Sequence, residues 1–176
     1  MASGVDRMPL ETRMSREDYA EAKVSSRWKV ERDKLNTYCK GMNPEIKQHP
    51  NSDERAVRIT VSVNQEMHPN AKPVNFRILI PNNYPNSLPM IFPDGWTLHH
   101  EPGNHTYQTK PPNRKVHICT IFEHQWSRDC TIAGLSHLAS VWYHKYLHWK
   151  KTNKWPGKEQ FHCGRCGKSL QECTCR

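Results

Sequence analysis

Apolar positions along this chain change their period twice. Ala20, Val24, Trp28, Leu35 and Tyr38 recur at spacings of three, four or seven, which predicts one stripe of an amphipathic helix. Lys23, Arg27, Lys29, Arg32 and Lys34 occupy its other face. Ser15 ahead of Arg16-Glu17-Asp18 predicts the N-cap, with Asp18 at the third helical position, and Gly41 and Pro44 predict the end. The period then falls to two. Val57, Ile59, Val61 and Val63 alternate with Arg58, Thr60 and Ser62, and Val74, Phe76, Ile78 and Ile80 alternate with Asn75, Arg77 and Leu79. Both runs predict half-buried strands, joined by a turn at His68-Pro69-Asn70-Ala71-Lys72-Pro73. Met90-Ile91-Phe92 and the extended run Val116-His117-Ile118-Cys119 complete a four-stranded antiparallel meander. Beyond Trp126, Asp129 or Thr131 caps a second helix with the stripe Ile132, Leu135, Leu138, Trp142, Tyr146 and Trp149. Helix, sheet, loop, helix and tail together give an α+β class.

Residues 94–114 carry no period and are broken by Pro102, Gly103, Pro111 and Pro112. A loop of that length inside a compact domain is usually functional or disordered. Length and charge refine the division of the chain. Its 176 residues suit one domain with an appendage, read as a body over 15–152 and a tail over 153–176. The net charge is +9, and from Lys145 onward eight basic residues against Glu159 and Glu172 leave +6 there and +3 on the rest. A basic tail on a near-neutral body suits an acidic partner or a solvated tail. No aromatic-rich basic reader motif accompanies it, which argues against nucleic acid. No apolar run approaches the roughly 20 residues that span a bilayer, and the N-terminus lacks an apolar signal core, so the expected location is cytosolic, without membrane partners. There, thiols stay reduced, and clustered cysteines among the seven point to metal or catalysis.

Cys119 follows an irregular loop holding His99, His100 and His105, with His117 two residues before it. Neighbouring imidazoles and a loop edge favour a nucleophilic thiolate; the alternative is a cysteine packed as a small hydrophobe. A second constellation closes the chain. Cys163-Gly164-Arg165-Cys166-Gly167 followed by Cys173-Thr174-Cys175 offers four thiolates to a tetrahedral Zn2+, with His162 as a substitute ligand. One residue between Cys173 and Cys175 is a tight bite, so relay thiols, a regulatory disulfide and an inert tail stay open beside zinc. Cys39 and Cys130, in or beside helices, read as packed or incidental.

The run Ile80-Pro81-Asn82-Asn83-Tyr84-Pro85-Asn86-Ser87-Leu88-Pro89-Met90-Ile91-Phe92 resembles the Y-P-x-x-x-P signature of ubiquitin-conjugating enzymes. His117-Ile118-Cys119 with Trp126 seven residues on resembles that family's active-site cysteine and following tryptophan, and order and spacing agree from about Ser15 to Trp149. The resemblance implies a UBC fold and a thioester between Cys119 and the C-terminus of a ubiquitin-like protein, passed on to an amine. It also implies that an activating enzyme docks on the basic face of the first helix. The family's His-Pro-Asn tripeptide is missing: its asparagine position is Pro111, while His68-Pro69-Asn70 lies far too early and reads as a turn. Candidates for the oxyanion-supporting role are His105, the favoured one, then Asn113 and His117; His117 also tunes the thiol, and Trp126 shapes the site. A histidine-rich flap in place of the tripeptide is similar to divergent bacterial members of antiphage (CBASS-associated) systems, in which a cGAS-like nucleotidyltransferase is the partner. Competing expectations are a non-catalytic UBC-like adaptor and a basic zinc-binding nucleic-acid-associated protein.

Overall fold

The computed structural model describes residues 16–48 and 55–157. The Ser15 cap and the tail cysteines Cys163, Cys166, Cys173 and Cys175 lie outside the described residues. Two long helices, α1 (Arg16–Tyr38) and α2 (Ile132–Thr152), flank the chain's strands β1 (Glu45–Gln48), β2 (Arg55–Val61), β3 (Val74–Ile80), β4 (Met90–Asp94), β5 (Thr106–Gln108) and β6 (Val116–Ile118). The strands form one antiparallel sheet in the order β1-β2-β3-β4-β6-β5. The class is therefore α+β.

Six strands replace the expected four. Strand β1 adds to β2 at the edge, and β5 arises inside the stretch that carries no period. Three- and four-residue strands with charged or polar alternates hold too few apolar positions to register a period of two. The sheet also departs from a plain meander, because β5 lies outside β6 and the chain passes over β6's place before returning to it.

Strands β2 and β3 pair in full register, with Val57 opposite Ile78 and Ile59 opposite Phe76 on the core face. All four are fully buried. On the opposite face Arg58 meets Arg77, a like-charge pair relieved by the Arg58 Nε to Asp94 Oδ2 ion pair at 2.7 Å. Helix α2 covers the core face. Phe76 makes T-shaped ring contacts with Trp142, Tyr143 and Trp96, the contact geometry that aromatic quadrupoles favour. Thr131 provides the α2 cap, its Oγ1 accepting the Gly134 amide at 3.1 Å.

Helix α1 bears out the expected stripe at Leu35, which is buried, and at Trp28, which packs against the core, and departs from it at Tyr38; Ala20 and Val24 lie outside the residues whose side chains are described. Its inward ridge is Arg27, Glu31, Leu35 and Cys39, at spacings of four; Glu31, Leu35 and Cys39 are buried, while Tyr38 is 65% exposed. Glu31 holds three elements at once. One carboxylate oxygen pairs with Arg27 at 2.7 Å and accepts from the Tyr84 hydroxyl, and the other accepts the Ile132 amide at 2.9 Å, one of the orphan donors at the start of α2. Arg27 in turn donates to the carbonyls of Arg128 and Cys130. Burial of the carboxylate is tolerated because three donors meet it, two on Oε1 and one on Oε2.

Packing also runs past the expected body boundary at residue 152, since Trp155 is buried against His105 and Trp142. Among the described residues no helix is long and apolar enough to cross a membrane. Glu31→Ala is expected to lower the unfolding free energy by about 3–5 kcal/mol, since it strands Arg27 and the α2 terminus together. Tyr84→Phe should cost about 1–3 kcal/mol. Urea denaturation of the two variants checks both figures and their order.

Candidate active site

Strand β6 alternates its side chains, so Ile118 enters the core while His117 and Cys119 project from the other face. Pairing of β6 with β5 places Tyr107 directly opposite His117. These three residues therefore cluster on one face of the hairpin. The Tyr107 hydroxyl hydrogen-bonds the Cys119 sulfur, and the His117 ring packs between Phe92 and Tyr107 with centroids 5.6 Å from each.

The main chain around the thiol is tied down by His105. Its carbonyl accepts the Cys119 amide and the Trp142 indole N–H, each at 2.9 Å, so one oxygen links the cysteine to α2. His105 adopts a left-handed backbone at φ 51°, a conformation a non-glycine residue keeps only when its surroundings hold it. Its ring stacks on Trp155 at 4.5 Å. The aperiodic loop leading to it is organised by Asn104, which is fully buried. The Asn104 amide donates to the His99 carbonyl at 2.8 Å and its carbonyl accepts from Thr106 at 2.6 Å. His100 Nδ1 meets the same Thr106 hydroxyl at 2.9 Å, so His100 serves the loop's own structure.

Cys119 stands between two clefts whose common wall is Cys119 to Phe122. The larger, about 960 Å³, takes in Tyr107, His117, Met90 and Lys110; the smaller, about 320 Å³, takes in His105, Trp142, Lys145 and Trp155.

Burial pushes the Cys119 thiol up from its usual range, and the Tyr107 hydroxyl opposes that rise by favouring the thiolate. The same contact and burial push Tyr107 itself upward, so it remains a phenol that donates. Burial lowers His117. Its imidazole is therefore neutral near pH 7, and it bears on the thiol by positioning Tyr107 rather than as a cation.

The four expected site residues thus separate. Cys119, His105 and His117 come together, His105 and His117 on opposite sides of the thiol. Asn113 does not join them: it is exposed in the turn at the tip of the β5–β6 hairpin and lines neither cleft. The His105 carbonyl is engaged by two N–H groups, and its ring is stacked on Trp155. Trp126 stands behind the site, its indole donating to the Pro85 carbonyl at 2.8 Å and its ring against Tyr84. Tyr107 went unnoticed in the sequence because only the cross-strand register brings it to the sulfur. Among the described residues no group of three or more His, Cys, Asp or Glu is placed to hold a metal. No family model, curated protein or solved structure matches the chain.

Tyr107→Phe removes the group that favours the thiolate. Alkylation of Cys119 by iodoacetamide at pH 7.5 should slow by roughly tenfold, the loss of one charge-assisted hydrogen bond, whereas Asn113→Ala should leave the rate unchanged. Because burial disfavours the thiolate, the wild-type rate should still be climbing at pH values where the same cysteine in urea has levelled off. Stopped-flow or quenched mass spectrometry across pH 7–10.5 measures both effects.

Proposed function

We propose that this chain is a ubiquitin-conjugating-like cysteine acyl carrier of UBC fold, with Cys119 holding the acyl group as a thioester. The observation that carries the reading is the place of Cys119 at the junction of two clefts. A donor's extended C-terminal tail suits the larger cleft, and an acceptor amine suits the smaller one. Further support comes from the two stretches that resemble the family, since Pro85 of the Tyr-Pro run and Trp126 are 41 residues apart yet hydrogen-bonded.

The chemistry divides one hard acyl transfer into two easier ones. The Cys119 thiolate attacks the carbonyl carbon of an activated C-terminus, a carbon–sulfur bond forms, and the donor's leaving group departs. An amine then attacks that carbon, the bond to Cys119 breaks, and the sulfur returns as thiolate. Tyr107 stabilises the sulfur anion at both ends of the cycle. The His105 ring is the group on the acceptor side that can meet the developing oxyanion, a role worth about 2.7–4 kcal/mol where such a donor is removed. The donor is a ubiquitin-like protein or the C-terminus of a cGAS-like nucleotidyltransferase in antiphage defence, delivered by an activating enzyme. The tail's Cys163, Cys166, Cys173 and Cys175 form a donor set whose four thiolates fit tetrahedral zinc.

Burial of the thiol and the distance of Asn113 favour one second reading, a non-catalytic adaptor of the same fold. A synthetic peptide bearing a C-terminal thioester separates the two. An acyl carrier gives an adduct on Cys119 that dithiothreitol removes, Cys119→Ala gives none, and Cys119→Ser gives a reductant-resistant ester. Equal yield in Cys119→Ala, or labelling of Cys130 alone, would sink the acyl-carrier reading. For the tail, elemental mass spectrometry should find one zinc per chain, lost in a Cys163→Ser/Cys166→Ser variant; a zinc-free wild type purified without chelator would refute the metal assignment.

A further inference from the structure

We infer that Lys145 is an intramolecular acceptor, taking the acyl group from Cys119 within the smaller cleft so that the protein modifies itself. This rests on the thioester reading above. Lys145 and Cys119 line the same 320 Å³ cleft. Their elements are fixed to each other, because the His105 carbonyl binds both the Cys119 amide and the Trp142 indole, and Lys145 follows Trp142 by three residues on α2. Residues three apart on a helix are neighbours, about 5–6 Å between Cβ atoms. The lysine is thus carried on the same helical face as the indole that is tied to the cysteine.

The position of the amine is also defined. Lys145 Nζ lies 3.3 Å from where a Cβ on Gly157 would stand, and Gly157 has φ 102°, so the bare glycine leaves the amine its place. Among the described residues Lys145 makes no ion pair, whereas the half-buried Arg27 and the strand residue Arg58 both do. Lys110, the lysine of the larger cleft, lies on the donor's side of the sulfur.

In the transfer the Lys145 ammonium first releases a proton to solvent. Its nitrogen then attacks the thioester carbonyl, a carbon–nitrogen bond forms, the carbon–sulfur bond breaks, and Cys119 leaves as thiolate and is reprotonated. The product is an amide that reductant does not cleave.

The test charges the full-length protein with a peptide C-terminal thioester, then follows adducts with and without dithiothreitol. A reducible adduct should convert to a resistant one mapping to Lys145 by peptide mass spectrometry, with a rate constant unchanged over tenfold dilution of protein. Lys145→Arg should keep the reducible adduct and lose at least nine-tenths of the resistant one, while Lys47→Arg, on the edge strand β1 and in neither cleft, behaves as wild type. A resistant adduct elsewhere, a rate proportional to protein concentration, or a reducible adduct that never converts would each overturn the inference while leaving the thioester reading intact. Failure to form any reducible adduct removes both.

Discussion

A single carboxylate, that of Glu31, sets the relative positions of the first helix, the Tyr-Pro loop and the second helix. It is fully buried, a state that costs several kcal/mol unless its oxygens are supplied with donors. Those donors come from parts of the chain about 50 and 100 residues away, the Tyr84 hydroxyl and the Ile132 amide. Satisfying the charge therefore fixes long-range geometry that apolar packing alone would leave adjustable. Arg27 extends the same network to the carbonyls of Arg128 and Cys130, so the segment running from Cys119 to α2 is tied down from behind. Its anchor and its reactive end are connected through Trp126 and Pro85.

At the reactive end the balance of forces is different. The thiol is held back by burial and helped by one phenol, and the imidazole two residues away is kept neutral. Such a sulfur is a restrained nucleophile. It is also a better leaving group inside the site than it would be with no hydroxyl beside it, because the same hydrogen bond serves the departing anion.

The strands at 57–63 and 74–80 were legible because each shows a full alternation with β-branched or aromatic residues, and the capping of α2 was legible down to two candidates. The stripe of α1 was legible only in part, at Trp28 and Leu35, since its central inward residue is Glu31, and a charged side chain registers as a surface position in any hydrophobic pattern. The loop before Cys119 carried no period because a buried amide, Asn104, organises it in place of apolar contacts. Cys119, His105 and His117 could be nominated from residue type and proximity in sequence. Tyr107 could not, because its role depends on pairing with a strand that is itself only three residues long. Asn113 was nominated on the same grounds of proximity, and the hairpin carries it away.

The packing of Trp155 bears on how the two parts of the chain relate. This indole stacks on His105 and walls the smaller cleft together with Cys119, and it follows the last turn of α2 by only three residues. The chain beyond it therefore continues from a wall of the cleft beside Cys119 rather than from the back of the fold. A protein cut at the end of α2 would keep its sheet and both helices yet open that cleft to water. Any force or ligand that draws on the chain beyond Trp155 acts first on the ring beside the sulfur.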